Sequence, residues 1–128
     1  MKILLIDDNE EVRDTLSSIL EIFDYEMTTC IGGREGLEIL SNQDFDCILL
    51  DLTMPKFSGF DFLEEFGYEK NSSNTIFTLS AMNLSDEQHE YLTKMGVKKI
   101  ISKPIGTDEL MEILQKVELK EVPHVGVS

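Results

Sequence analysis

Short, uninterrupted apolar runs alternate along this chain with stretches of helical period, and few architectures accept that alternation. Ile3 to Ile6, Cys47 to Leu50, Ile76 to Leu79 and the pair Ile100 and Ile101 are continuous runs, the pattern of strands covered on both faces. Tyr25 to Cys30 is a weaker fifth. Val12, Leu16, Ile19, Leu20 and Phe23 follow one helix face, as do Leu110, Ile113, Leu114 and Val117. Fainter helical patterns cover Gly33 to Leu40, Gly59 to Phe66 and Ser85 to Met95, the last with Ser85 as a cap before the acidic pair Asp86 and Glu87. Strand followed by helix, five times over, predicts an α/β domain: a parallel sheet with right-handed crossovers and helices on both faces, in three layers. A length of 128 residues suits one such domain.

Composition removes several functions. Eleven Lys and Arg stand against 25 Asp and Glu, a formal net charge of −14, and a phosphate backbone would be repelled, so direct nucleic-acid binding is not expected. No apolar stretch approaches the roughly 20 residues of a membrane span, and Asp7 and Asp8 interrupt the first apolar run where a secretory leader would continue. The expectation is a cytoplasmic protein. Cys30 and Cys47 lie inside apolar or strand-like runs and read as small buried side chains in a reducing compartment rather than as a disulfide. The stretch from Lys120 to Ser128 has no period and carries Pro123 and Gly126. It reads as a C-terminal tail (120–128) behind a domain of residues 1–119. Met1, immediately before the first strand, is taken to mean only that nothing need precede it.

In open parallel sheets, ligands sit beyond the carboxyl ends of the strands, where strand order reverses. Asp7 and Asp8 follow the first apolar run, Asp51 the third, Ser80 the fourth and Lys103 the fifth. The order 2-1-3-4-5, adopted from known flavodoxin-like doubly wound folds rather than read from the sequence, would make those four strands contiguous and bring all five residues to one crevice. Three carboxylates brought together repel unless a cation neutralises them. An oxygen-only donor set without clustered His or Cys suits Mg²⁺ better than Zn²⁺. Lys103 adds an ammonium and Ser80 a hydroxyl, both suited to phosphoryl oxygens. One carboxylate is then the nucleophile, and Asp51, alone on the central strand, is the best placed.

Each residue also has a plainer explanation. Asp7 and Asp8 could cap the helix that starts near Asn9. Asp51 could cap a turn into Thr53 and Pro55, Ser80 could cap the next loop, and Lys103 could be an ordinary solvated lysine. Capping does not readily account for four separate strand ends carrying complementary acid, hydroxyl and ammonium groups.

At these residues the sequence resembles the receiver domain of two-component response regulators, of the single-domain, chemotaxis-receiver-like kind, from Lys2 to about Val117. The matching stretches are Ile3-Leu4-Leu5-Ile6-Asp7-Asp8-Asn9, Asp51-Leu52-Thr53-Met54-Pro55 with Gly59, Leu79-Ser80-Ala81, and Gly96 through Ser102-Lys103-Pro104. The resemblance implies a phosphorelay switch in which Asp51 accepts a phosphoryl group from a histidine kinase or phosphotransfer protein. It implies Mg²⁺ held by Asp8, Asp51 and the backbone carbonyl of Thr53, with Asp7 acting mostly through water. Lys103 would pair with the phosphoryl group beside a cis Lys103-Pro104 bond, and Ser80 would turn toward the new oxygens. Output would change at the face built by the fourth predicted helix, the fifth strand and the fifth predicted helix, toward a downstream protein target. The family's usual aromatic switch position is Ile100 here, a departure that bears on coupling to Ser80. Thr53 and Met82 occupy the positions that tune dephosphorylation in the family.

Two other classes compete. A small Mg²⁺-dependent phosphatase of the haloacid dehalogenase type would want a second Asp two residues after Asp51, where Thr53 stands. A binding module that has lost the chemistry is opposed by the intact set of Asp7, Asp8, Asp51, Ser80 and Lys103. His89 and His124 read as surface histidines, Phe57, Phe60, Phe62 and Phe66 mostly as core, and Lys98 and Lys99 as solvated strand-end lysines. A receiver standing alone would signal in trans.

Overall fold

The computed structural model describes residues 1–120. Five strands, β1 (Lys2–Ile6), β2 (Glu26–Cys30), β3 (Cys47–Asp51), β4 (Ile76–Ser80) and β5 (Lys99–Ser102), alternate with helices α1 (Glu10–Ile22), α2 (Gly33–Leu40), α3 (Gly59–Phe66), α4 (Tyr68–Ser73), α5 (Asp86–Lys94) and α6 (Thr107–Glu118). All strand pairs are parallel, in the order β2-β1-β3-β4-β5. The expected doubly wound sheet is present, with one helix more than the sequence pattern suggested.

Side-chain parity along the strands sorts the core into two layers. Ile3 and Leu5 of β1, Leu49 of β3 and Phe77 and Leu79 of β4 face α1 and α6, meeting Leu16, Leu20, Leu110 and Leu114. Leu4 and Ile6, Ile48 and Leu50, and Ile76 face the opposite way, toward Phe62, Leu63 and Leu92 of α3 and α5. Burial on both faces is why β1, β3 and β4 read as continuous apolar runs. β2 and β5 lie at the edges and are partly exposed, which is why their runs are short or mixed.

The additional helix, α4, has the sequence YEKNSS. Apart from the exposed Tyr68 it is polar, so it offers no apolar stripe to detect. Gly67, at φ +89°, separates it from α3, and the buried Asn71 Nδ2 ties it back by donating to the Leu63 carbonyl at 2.8 Å. Lys98 also departs from expectation: it is half-buried, and its ammonium donates to the Ser72 and Gly96 carbonyls at 2.9 and 3.2 Å. It pins α4 to the turn before β5 instead of standing in solvent. The remaining expectations match: Cys30 and Cys47 are free and buried, Phe62 is buried while Phe57, Phe60 and Phe66, partly buried, pack against the same core layer, and Ser85 forms a reciprocal cap with Gln88. His89 and Lys99 are exposed. His124 and the expected tail beyond Lys120 lie outside the described residues, within which no helix is long and apolar enough to cross a membrane.

Candidate functional site

Parallel strands in register end together, so whatever follows each strand meets at one edge. Ile6 pairs with Leu50, Asp51 with Leu79, and Ser80 with Ser102. Asp51 and Ser80 turn out to be the last residues of their strands rather than the first beyond them. Asp7 and Asp51 are buried, while Asp8 is exposed. Carboxylate oxygens of Asp7, Asp8 and Asp51 all lie within 4.8 Å of one another. The Lys103 ammonium donates to Asp7 Oδ2 at 2.8 Å and stands 3.4 Å from Asp51 Oδ1.

The local fold fixes each group. At the α1 entrance Asn9, not either aspartate, is the helix cap: its Oδ1 accepts the Val12 N–H at 3.1 Å. Asp7 and Asp8 are therefore not spent on capping. Asp7 Oδ1 accepts the Asn9 N–H at 2.9 Å, and the Asp7 carbonyl accepts Arg13 Nη1 at 2.9 Å. Asp51 Oδ1 accepts the Thr53 N–H and hydroxyl at 3.1 and 3.2 Å, so Asp51 does organise the turn that follows it. Ser80 does the same, its Oγ accepting the Met82 N–H at 3.1 Å and donating to the Met82 carbonyl at 3.3 Å. The Lys103-Pro104 bond is cis. Ile100, paired with Thr78 in register, is half-buried against the α3 and α5 side of the core. Thr53 and Met82 stand exposed at the rim.

Burial and neighbouring charge both act on this cluster. Burial pushes the Asp7 carboxyl above the usual carboxylate range, and the charge of Asp51 adds to this, while the Lys103 ammonium and the Asn9 N–H offset part of it. Burial alone would lower Lys103, but its hydrogen bond to Asp7 and the charges of Asp51 and Asp7 outweigh that and raise it. The ammonium is thus firmly protonated, and among the described residues it is the only cation within ion-pair distance of the three carboxylates. A divalent cation fits this donor set: the oxygens are hard, the exposed Asp8 carboxylate accepts no hydrogen bond among the described residues, and negative charge exceeds positive. Two contributors were not singled out from the sequence. Arg13 looks like any polar residue of an amphipathic helix, and Asn9 acts through a backbone N–H that no side-chain pattern reveals.

The profile described as response regulator receiver domain matches residues 3–115. Response regulator SaeR of Staphylococcus aureus is 28% identical over 111 residues, covering 85% of this chain and 46% of that protein. The chain therefore spans about half the length of the curated relatives it matches. Among solved structures, chemotaxis protein CheY4 of Vibrio cholerae superposes with a TM-score of 0.81 at 29% identity, over 91% of this chain and 97% of that one. Response regulator protein TrrA of Thermotoga maritima, in complex with Mg²⁺-BeF, superposes with a TM-score of 0.76 at 28% identity, over 91% and 97%.

Proposed function

The chain belongs to the response regulator receiver family, and on that premise we propose that it is a phosphoacceptor switch in which Asp51 takes a phosphoryl group from a histidine kinase or phosphotransfer protein. Receiver domains are signalling switches rather than enzymes in the usual sense, and they bind Mg²⁺ at an acidic pocket. The observation that carries the reading is the convergence of the Lys103 ammonium on Asp7 and Asp51 beside the exposed Asp8, at the ends of three different strands.

Asp8, Asp51 and the Thr53 carbonyl would hold the Mg²⁺ directly, with Asp7 acting through water. When bound, the ion supplies charge neutralisation for the incoming phosphoryl oxygens. Asp51 Oδ1 is engaged by Thr53 and Lys103, which leaves Oδ2 as the attacking oxygen. A new P–O bond forms there as the P–N bond of the donor phosphohistidine breaks, the electron pair staying on nitrogen, and the donor ring, already protonated on its other nitrogen, leaves as neutral imidazole. Lys103, already protonated and in place, pairs with a phosphoryl oxygen. Ser80 gives up its hydrogen bond to the Met82 carbonyl and donates to another. Those contacts exist only in the phosphorylated chain, so they shift the balance between two arrangements of the face built by α5, β5 and α6, and with it binding of a downstream protein target. Ile100 conveys the change by aliphatic packing rather than by the swing of an aromatic ring. Water then attacks phosphorus, the bond from phosphorus to the Asp51 oxygen breaks, inorganic phosphate leaves with the water's oxygen, and the Asp51 carboxylate is restored, with Thr53 and Met82 at the rim setting the rate. On this reading residues 1–119 are the switching unit, 120–128 a tail, and the protein is cytoplasmic.

The test is intact-protein mass after incubation with acetyl phosphate and Mg²⁺, beside a chelator control and Asp51→Asn. A Mg²⁺-dependent gain of one phosphoryl group that Asp51→Asn abolishes is the expected result. Retained labelling in Asp51→Asn would remove Asp51 from its role.

A further inference from the structure

Asp7 is held at every polar atom it has. Its N–H donates to the Cys30 carbonyl at 3.1 Å, Oδ1 accepts from the Asn9 N–H, Oδ2 accepts from Lys103, and its own carbonyl accepts Arg13 Nη1 at 2.9 Å. The first three follow from strand pairing, helix entry and the ion pair. The fourth is of another kind, because a guanidinium from the first turn of α1 reaches back over the helix start to a main-chain oxygen. Arg13 makes no ion pair among the described residues, although the chain carries 25 acidic groups. In so acidic a molecule its attachment to a neutral carbonyl calls for a reason.

The peptide plane supplies one. The Asp7 carbonyl and the Asp8 N–H belong to a single rigid unit, so fixing that oxygen fixes the direction in which the chain enters Asp8. The Asp8 side chain accepts no hydrogen bond among the described residues and is exposed. Nothing but its backbone aims it at the other two carboxylates.

We propose that Arg13 is a positioning residue for the Mg²⁺ site: by holding the Asp7 carbonyl it orients the Asp7–Asp8 peptide and directs the Asp8 carboxylate toward the ion. This rests on the reading of Asp8 as a direct ligand given above. The role belongs to the donor and not only to the charge, and this separates it from a general electrostatic contribution.

Mg²⁺ titration calorimetry on the phosphate-free full chain tests it, with the Asp8 amide resonance in a ¹⁵N correlation spectrum of the metal-free protein as a second readout. Arg13→Ala and Arg13→Met, the latter keeping an apolar stem, should each weaken Mg²⁺ about tenfold, the low end of losses seen when a group that orients a metal ligand is removed, and should move the Asp8 amide. Arg13→Gln, a neutral donor, should stay within about threefold of the parent, and Asp8→Ala should lose binding. Ala has high helix propensity, so α1 should persist, and Arg13→Met gives the answer if Arg13→Ala does not fold. An unchanged affinity in both deletions would overturn the proposal. So would equal weakening in Arg13→Gln, which would leave the guanidinium only its charge. A parent chain that takes up no Mg²⁺ would instead sink the site reading itself, a result distinguishable before any variant is compared.

Discussion

Adding one methyl group at Gly59 should damage both the fold and the end of β3 that carries Asp51. Gly59 is the first residue of α3, and its N–H donates to the Leu52 carbonyl at 3.2 Å. A Cβ there would lie 2.6 Å from the Asp51 carbonyl oxygen and 2.8 Å from Leu52 Cα. Both neighbours are backbone, so no rotamer change relieves the contact. Since real Cβ contacts essentially never fall below 3.0 Å, helix and strand must part by the difference from 2.6 Å or more. Overpacking of this kind costs about 1–3 kcal/mol, offset by about 0.5–1 kcal/mol for removing glycine from a helix. A net loss of about 1–2 kcal/mol corresponds to a Tm lower by roughly 5 °C for a chain of this size. The separation falls on the residue proposed to accept the phosphoryl group, so uptake from acetyl phosphate should slow as well. Gly106→Ser is the matched control: a Cβ there meets nothing within 4 Å, and serine suits the N-cap that Gly106 occupies before α6. Thermal unfolding followed by circular dichroism, with a mass-resolved phosphorylation time course, reads both effects. If Gly59→Ala melts within about 1 °C of the parent and is phosphorylated at the parental rate, the close approach of α3 to β3 does not hold the site.

Lys103→Ala should lower stability in metal-free buffer by about 3 kcal/mol, because it leaves two buried carboxylates without their protein cation. Mg²⁺ should then raise the melting temperature of the variant more than that of the parent, and equal Mg²⁺-free stability would contradict the charge accounting. At alkaline pH, burial and a hydrogen bond to Glu118 push the Tyr25 phenol up to about 12. Because the folded state holds this proton more tightly than the unfolded one, the contribution is complete below the unfolded value near 10 and is lost as pH rises to about 12. Urea unfolding across that window should show a steeper decline in the parent than in Tyr25→Phe. Parallel declines would mean that the pair contributes nothing.

The parts of this molecule that were legible in its sequence are those where one physical cause dominates. β1, β3 and β4 are buried on both faces, so their residues announce them. α1 and α6 each lay one apolar stripe on the sheet and show the helical period. The acidic and basic strand-end residues could be picked out because register brings strand ends together. Strand order came from outside the sequence, since nothing local distinguishes β1-β3 from any other pairing. α4 escaped because YEKNSS buries almost nothing and is held by Asn71 and Lys98, contacts that span 8 and 26 residues. Lys98 was misjudged for the same reason: its partners are carbonyls, and a carbonyl has no signature in a sequence. Arg13 was passed over because a polar residue on an amphipathic helix is ordinary until its acceptor is known.

The bridge between Lys103 and Asp7 joins positions 96 residues apart, and this orders events during synthesis. A nascent chain that has emerged only as far as β4 already carries Asp7, Asp8 and Asp51 but not the ammonium that reconciles them, so drawing those carboxylates together works against folding. Contacts this distant in sequence also form late on entropic grounds. The carboxylate cluster therefore gains its ammonium only from the residue that follows the last strand. On the reading of Asp51 as phosphoacceptor, a chain that stops short of Lys103 would gather the acceptor and its two neighbouring carboxylates with no ammonium among them.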